Sequence, residues 1–262
     1  MSTRSTRRNL LKSTALASIA IPTLIPASVL GKNGRVAPSN RIVLGGIGVG
    51  RRGQKILDGF FQEKHAQFVA VADPQKERRE IIKRKTDEHY GNKDCAIYDD
   101  MSGILERDDI DAVLVTTGDR WHATASIYAA RAGKDIYCEK PCAMNIQECQ
   151  ELDDNIKKHK RVFQAGTQRR SVPNFKLAAD LALKGKLGQM KEVHAGILKL
   201  QNYLDPLPAQ PEPDRAIINW DKWLGPAPKI PFNEAYCRGR WRNHNGLYSA
   251  WRLPEWGSHT ID

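Results

Sequence analysis

The chain is predicted to be built on an α/β domain, with a mainly parallel sheet and helices on both faces. Three observations predict it. Short apolar runs alternate with helical patterns between residues 41 and 166. A G-x-G-x-x-G motif follows the first apolar run, and an acidic residue, Asp73, closes the second. Strands separated by helices call for parallel pairing, because each helix carries the chain back across a face of the sheet.

The elements follow in order. "RIVLGGIG" (41–48) reads as a strand and "RRGQKILDGFFQ" (51–62) as a helix. "AQFVAVAD" (66–73) is a second strand. The charged stretch 74–90 is a helix with Pro74 in its first turn, where a missing N–H costs nothing. "CAIYDD" (95–100) is a short strand and "DAVLVTT" (111–117) a buried one. A helix over 122–133 ends at Gly133. "DIYCEK" (135–140) is the next strand. Residues 145–160 form a helix, with Asn145 and Glu148 at capping-box spacing, and "RVFQAG" (161–166) closes the series. The rhythm then breaks, which places a domain boundary near 165. Beyond it a helix is expected over 173–184, an alternating strand over 190–200, and an exposed Pro-rich loop over 201–216. Residues 217–262 hold five of the six tryptophans, expected mostly as core.

The 262 residues carry a formal charge of +11. Part of it is local: residues 1–39 hold six basic residues and no acidic one, leaving 35 basic against 30 acidic elsewhere. That excess, without interleaved aromatics, excludes a nucleic-acid reading. The leading segment is an address. Arg7 and Arg8 precede Leu10, Leu11 and Lys12, and a modestly apolar stretch with small residues follows, the pattern of a twin-arginine export signal over residues 1–38. The expectation is export to the periplasm or beyond by the twin-arginine machinery, already folded, with a tether if the signal is retained. No apolar run reaches the roughly 20 residues a spanning helix needs. The five cysteines are odd in number and lack C-x-x-C, which argues against zinc or a disulfide framework and for free thiols.

"GVGRRG" places Gly48, Gly50 and Gly53 between a strand and a helix, the context a dinucleotide-binding Rossmann motif requires. The first glycine permits the turn, the second lets backbone approach a pyrophosphate, and the third allows close helix–strand packing. The helix N-terminus then offers free N–H groups to phosphate, and Arg51 and Arg52 add charge. Asp73, 25 residues beyond Gly48, either meets the adenosine ribose hydroxyls or caps the next helix. An acid there favours NAD over NADP, although Arg51 and Arg52 are both able to bind a 2′-phosphate, which leaves NADP open.

"YCEKPC" (137–142) sets Glu139 and Lys140 where a buried strand ends, ahead of Pro141. Together with "GVGRRG" and "VTTGDRWHA", this resembles the glucose–fructose oxidoreductase/inositol dehydrogenase (Gfo/Idh/MocA) family, from about residue 41 to the end. "NWDKWLGPAP" and "FQAGTQRRS" are similar to its exported members. The resemblance implies a nucleotide domain (39–165) and a second α/β domain (166–262) with an open, mainly antiparallel sheet that forms the substrate site and often an oligomer interface. Against relatives of about 330 residues or more, that second domain is expected to be incomplete here.

The resemblance also assigns residues. Lys140 of E-K-P stabilises developing alkoxide charge, and His259 acts as general acid/base. Glu255 stands where the family usually has Asp, four residues before His259. Thr117, Trp121 and His122 line the cofactor with Glu139 and Lys140, while Gly118 replaces a usual proline. The activity implied is hydride transfer between tightly held NAD, or NADP, and a sugar or cyclic polyol. A redox-assisted glycosidase that recycles its cofactor, and a nucleotide-binding remnant without turnover, are the alternatives.

Overall fold

The computed structural model describes residues 36–196, 205–244, 248–250 and 253–261. The expected export signal lies, up to residue 35, outside them. Contacts divide the chain between Asn40 and Arg41. Of the first unit, residues 36–40 are described, with one 3₁₀ turn at Pro38–Asn40. All that follows concerns the second unit.

Its framework is a six-stranded sheet of β1 (Ile42–Ile47), β2 (Ala66–Ala72), β3 (Ala96–Tyr98), β4 (Ala112–Val115), β5 (Asp135–Glu139) and β6 (Phe163–Gly166), in the order β3-β2-β1-β4-β5-β6. Every pairing is parallel. The helices between strands are α1 (Arg51–Phe60), α2 (Lys76–Tyr90), the single turn α3 (Ser102–Leu105), α4 (Asp119–Arg131) and α5 (Ile146–His159). Strands covered on both faces need apolar residues on both, and two clusters supply them. One gathers Ile47, Ile104, Val113, Val115 and Ile136 with the alanines of α4. The other gathers Leu44, Leu57, Phe68, Val71 and Ile82.

Local signals place the elements well. Asn145 caps α5 by accepting the Glu148 N–H at 2.9 Å, and the Glu148 carboxylate accepts the Met144 N–H at 2.9 Å. Gly133, at φ +77°, follows the end of α4. That helix starts at Asp119, three residues earlier than its apolar pattern indicates, because Gly118 is extended and serves as its N-cap. Sheet order reverses between β1 and β4, so a crevice opens above their carboxyl ends, where doubly wound folds bind ligands.

Beyond β6 the expectation of an open antiparallel sheet is corrected. The described residues there form α6 (Pro173–Leu183), the short helices α7 (Trp220–Leu224), α8 (Glu234–Cys237) and α9 (Ser258–Thr260), and loops. Their β structure is limited to single bridge residues, among them an isolated antiparallel bridge between Gln75 and Ile218. The alternating run expected as a strand over 190–200 is irregular and exposed over 190–196, and its remainder lies outside the described residues. Alternation alone does not hold a strand: without a paired neighbour its N–H and C=O groups return to water.

Described residues between 205 and 244, with Tyr248, instead form an aromatic cluster. Trp220 stacks on Trp223 at 4.6 Å between ring centroids and meets Phe232 edge-on at 5.2 Å. Tyr236, Trp241 and Tyr248 complete it. Trp220, Trp223 and Trp241 are thus core, as expected. Of the cysteines, all free, Cys95, Cys138 and Cys237 are buried, Cys142 is half-buried and Cys149 exposed.

Candidate active site

A cleft of about 880 Å³ runs along the carboxyl edge of the sheet. It brings together most of the residues singled out in the sequence: Gly48, Gly50, Arg51, Arg52, Asp73, Thr117, Trp121, His122, Glu139, Lys140, Glu255 and His259 all line it. Gly53 sits beneath it.

The glycine loop is built for close approach. Gly48 turns at φ +67°, a conformation costly for any side chain, and a Cβ there would fall 2.4 Å from Thr117 Cγ2. A Cβ on Gly53 would lie 2.2 Å from Thr116 Oγ1, so the third glycine sets the helix–strand distance. Gly50 caps α1 without any side-chain hydrogen bond, which leaves the first N–H groups of a ten-residue helix facing the cleft. A Cβ on Gly50 would meet Arg78 Nη1 at 2.5 Å. This cradle, with the cations of Arg51 and Arg78 beside it, fits a pyrophosphate.

Asp73 is buried at the end of β2. Its Oδ1 accepts the Gln75 N–H at 2.9 Å, and burial pushes its pKa up against the opposing pull of Arg78, Arg79 and Arg120. Arg52, expected near phosphate, donates Nε to Glu139 Oε1 at 2.9 Å, while Glu139 Oε2 accepts the Lys140 N–H at 3.1 Å. Glu139 is therefore an anchor that orients the strand exit. The next peptide, Lys140–Pro141, is cis. His122 is wedged between two carbonyls, with Nδ1 2.6 Å from Pro141 O and Nε2 3.2 Å from Thr117 O. It ties the loop after β4 to the loop after β5, a scaffolding task.

Lys140 Nζ donates to the carbonyl oxygen of Glu255 at 3.0 Å. Burial lowers its pKa, opposed by the charges of Glu255 and Glu139. His259 lies at the same end of the cleft, where its ring meets Trp256 at 5.8 Å and its buried Nδ1 has no hydrogen-bond partner. Burial, and after it Lys140 and Arg169, hold His259 below the usual histidine value. A neutral imidazole beside an ammonium group is suited to accept a proton from a hydroxyl.

Sequence reasoning named Trp121 for the cofactor but missed its neighbours Asp119 and Arg120, which help close the cleft. Asp119 Oδ2 accepts the Ala250 N–H at 3.0 Å and the Ser249 hydroxyl at 3.1 Å. Arg120 donates Nη2 to Trp223 O at 2.5 Å and Nε to Leu224 O at 3.2 Å. Trp121 donates its indole N–H to Lys222 O at 3.1 Å. Three consecutive residues at the start of α4 thus fasten the aromatic region to the cofactor loop. Arg78 adds a tie to Cys237 O at 2.7 Å. The only hint in the sequence was D-R-W directly after a buried strand. Arg78 was hidden in a charged run that reads as a solvated face.

A doubly wound sheet with this glycine loop and an acid ending β2 defines a dinucleotide-binding fold of the kind oxidoreductases use. Residues 42–167 match the model of the oxidoreductase family with NAD-binding Rossmann fold, Gfo/Idh/MocA, and this segment is that family's NAD-binding domain. The uncharacterized oxidoreductase YrbE of Bacillus subtilis (strain 168) is 32% identical over 150 residues, 57% of this chain and 42% of that protein. The glycosyl hydrolase family 109 protein 1 of Shewanella sp. (strain MR-4) is 33% identical over 143 residues, 51% of this chain and 30% of that one. Among solved structures, scyllo-inositol dehydrogenase from Lactobacillus casei, with NAD(H) and scyllo-inositol bound, superposes with a TM-score of 0.51 at 25% identity, covering 56% of this chain and 42% of that one. The chain spans less than half the length of the curated relatives it matches first. Residues 42–167 accordingly carry the NAD-binding Rossmann fold of that oxidoreductase family.

Proposed function

We propose that this protein is an exported oxidoreductase that transfers hydride between NAD and a CH–OH group of a sugar or cyclic polyol. The observation that carries the reading is the convergence of Lys140 and His259 at one end of the cleft whose other parts are the glycine loop and Asp73. When bound, the nicotinamide accepts or supplies the hydride. The α1 N-terminus and Arg51 hold the phosphates. Asp73 receives the adenosine ribose hydroxyls and disfavours a 2′-phosphate, which favours NAD over NADP. Lys140 donates a hydrogen bond to the substrate oxygen, and His259 takes the hydroxyl proton onto a ring kept neutral by burial and by the lysine. Glu255 contributes its backbone carbonyl, which fixes Lys140, so that the longer acid in place of the family's Asp need not act through its carboxylate.

Residues 39–165 serve as the nucleotide domain and 166–262 as part of the substrate domain. The fastening of Lys222, Trp223, Leu224, Ser249 and Ala250 to α4 helps enclose the cleft and supports tight retention of the cofactor. Arg7 and Arg8 direct passage through the twin-arginine machinery with that cofactor in place.

The first experiment is to purify the expressed chain, denature it, and identify any released nucleotide by mass. Stoichiometric NAD supports the reading, and a folded chain that releases none and binds none removes it. The similarity to a family 109 glycosyl hydrolase favours one second reading, a glycosidase whose cofactor is reduced and reoxidised within each turnover. Release of aglycone from an aryl glycoside without added NAD would select it. Turnover of polyols only with added NAD selects the dehydrogenase.

A further inference from the structure

Three of the five cysteines gather beside Lys140, and the chemistry above uses none of them. Cys138 lies in β5, two residues before the lysine. Cys142 follows the lysine by two, and Cys149 stands near the start of α5. The Cys138 and Cys142 thiols are within hydrogen-bond reach of each other. Cys138 is fully buried, its Sγ 3.4 Å from Glu139 O and 3.9 Å from His122 O. Cys142 is half-buried and Cys149 exposed. Among the described residues no group of three or more His, Cys, Asp or Glu side chains is placed to hold a metal ion. The chemistry open to two thiols in contact is then oxidation to a disulfide.

The two sulfurs are not equivalent. Cys138, by donating to its neighbour, holds the Cys142 thiol below its usual value, against the effect of burial. Burial pushes the Cys138 thiol well up. Cys142 is thus the better nucleophile and the one that solvent reaches, while Cys138 waits behind it.

We propose that Cys142 and Cys138 form a reversible disulfide across Lys140, closed by a small-molecule disulfide, and that closing it switches the site off. Cys142, as thiolate, attacks one sulfur of the oxidant, forms a mixed disulfide and expels one thiolate. Cys138 loses its proton, attacks Cys142 Sγ and expels the second. Two cysteine thiols are oxidised to one disulfide, and the oxidant is reduced to two thiols, which take up the two protons. Residues 139–141 then lie in a closed loop, and the S–H that faces Glu139 O is gone. Lys140 is the middle of that loop, so the position of Nζ, now 3.0 Å from Glu255 O, changes with it. The export proposed above would carry the pair to a compartment where disulfides persist. The effect on turnover rests on the role given to Lys140 above; the bridge does not.

The test incubates the full chain with oxidised glutathione, blocks the remaining thiols with iodoacetamide and maps tryptic peptides by mass. Lys140 precedes proline, so trypsin leaves Cys138, Cys142 and Cys149 on one fragment, residues 135–157. The expected result is a fragment with two thiols unblocked and a mass lower by two hydrogens, reversed by dithiothreitol. The bridge should persist in Cys149→Ser, where only Cys138 and Cys142 remain on the fragment. Cys138→Ser should instead carry glutathione on Cys142. Oxidation should lower NAD-dependent polyol turnover by about tenfold or more, as expected for a catalytic group displaced by about 1 Å. Cys142→Ser should keep turnover and lose the sensitivity to oxidant. No bridge, or one that disappears in Cys149→Ser, overturns the site, and a bridge that leaves turnover unchanged overturns the switch. A reduced chain that turns over no sugar or polyol sinks the dehydrogenase reading instead, and the peptide map still decides the bridge.

Discussion

The sheet region, residues 41–167, and the aromatic region, residues 205–244 with 248–250, are held by different forces. In the first, six parallel strands share their backbone hydrogen bonds and are covered on both faces by aliphatic clusters. In the second, helices of four or five residues surround Trp220, Trp223, Tyr236 and Tyr248. Helices that short do not persist alone. Arg120 and Trp121 bind the α7 carbonyls of Trp223 and Lys222, Arg78 binds the Cys237 carbonyl of α8, and Asp119 holds Ala250. A self-supporting layer thus carries a dependent one, and the cleft lies where they meet.

The sharpest break in that comparison is Trp220→Ala. Trp220 is 2% exposed, and truncating it should cost about 3–5 kcal/mol. Proteolysis and amide exchange should show the aromatic region opening while β1, β2 and β4 stay protected. Equal loss of protection in the sheet would make the dependence mutual. Lys140→Ala tests the cleft instead of the scaffold. It should lower kcat by about 10²–10³-fold, with NAD affinity and melting temperature near wild type; intact turnover would discard the assigned mechanism. Gly53→Ala probes the self-supporting layer, where the new Cβ must displace Thr116 or α1. A cost of about 1–3 kcal/mol in denaturant unfolding is expected, and an unchanged midpoint would show the loop yielding freely.

Two smaller effects concern charge. Asp73→Asn should move the preference from NAD towards NADP by roughly tenfold, read as a ratio of dissociation constants. The base His259 acts only when neutral, so activity should fall as pH drops through its pKa, and that acid limb should lie below 6.5. The Arg169 charge lowers that pKa, so Arg169→Gln should raise it and shift the limb to higher pH in a pH–rate profile. A limb that does not move would mean that the titrating group is not His259.

Much of the sheet region was legible because its signals are local. Apolar runs, Gly48 at a turn and Asn145 with Glu148 each act over a few residues, and each is found where the pattern put it. The expected strand over 190–196 shows the limit, since alternation describes a face and cannot provide the neighbour that a strand must pair with. Arg52 shows it too. Its place in the glycine motif suggested phosphate, while its partner is Glu139, 87 residues away.

By itself the sequence determined the parallel sheet, the glycine loop, the acid ending β2 and the lysine at a strand exit, because spacing along the chain dictates them. Only the tertiary structure decided which side chains are spent on scaffold and which remain for chemistry. Glu139 and His122 line the cleft with Lys140 and His259, but their polar atoms are held by Arg52 and by the carbonyls of Pro141 and Thr117, and Arg120 Nη1 is buried without a partner. The physical reason is that a polar group's role is set by the partners that burial brings within hydrogen-bond reach, and those partners come from distant parts of the chain.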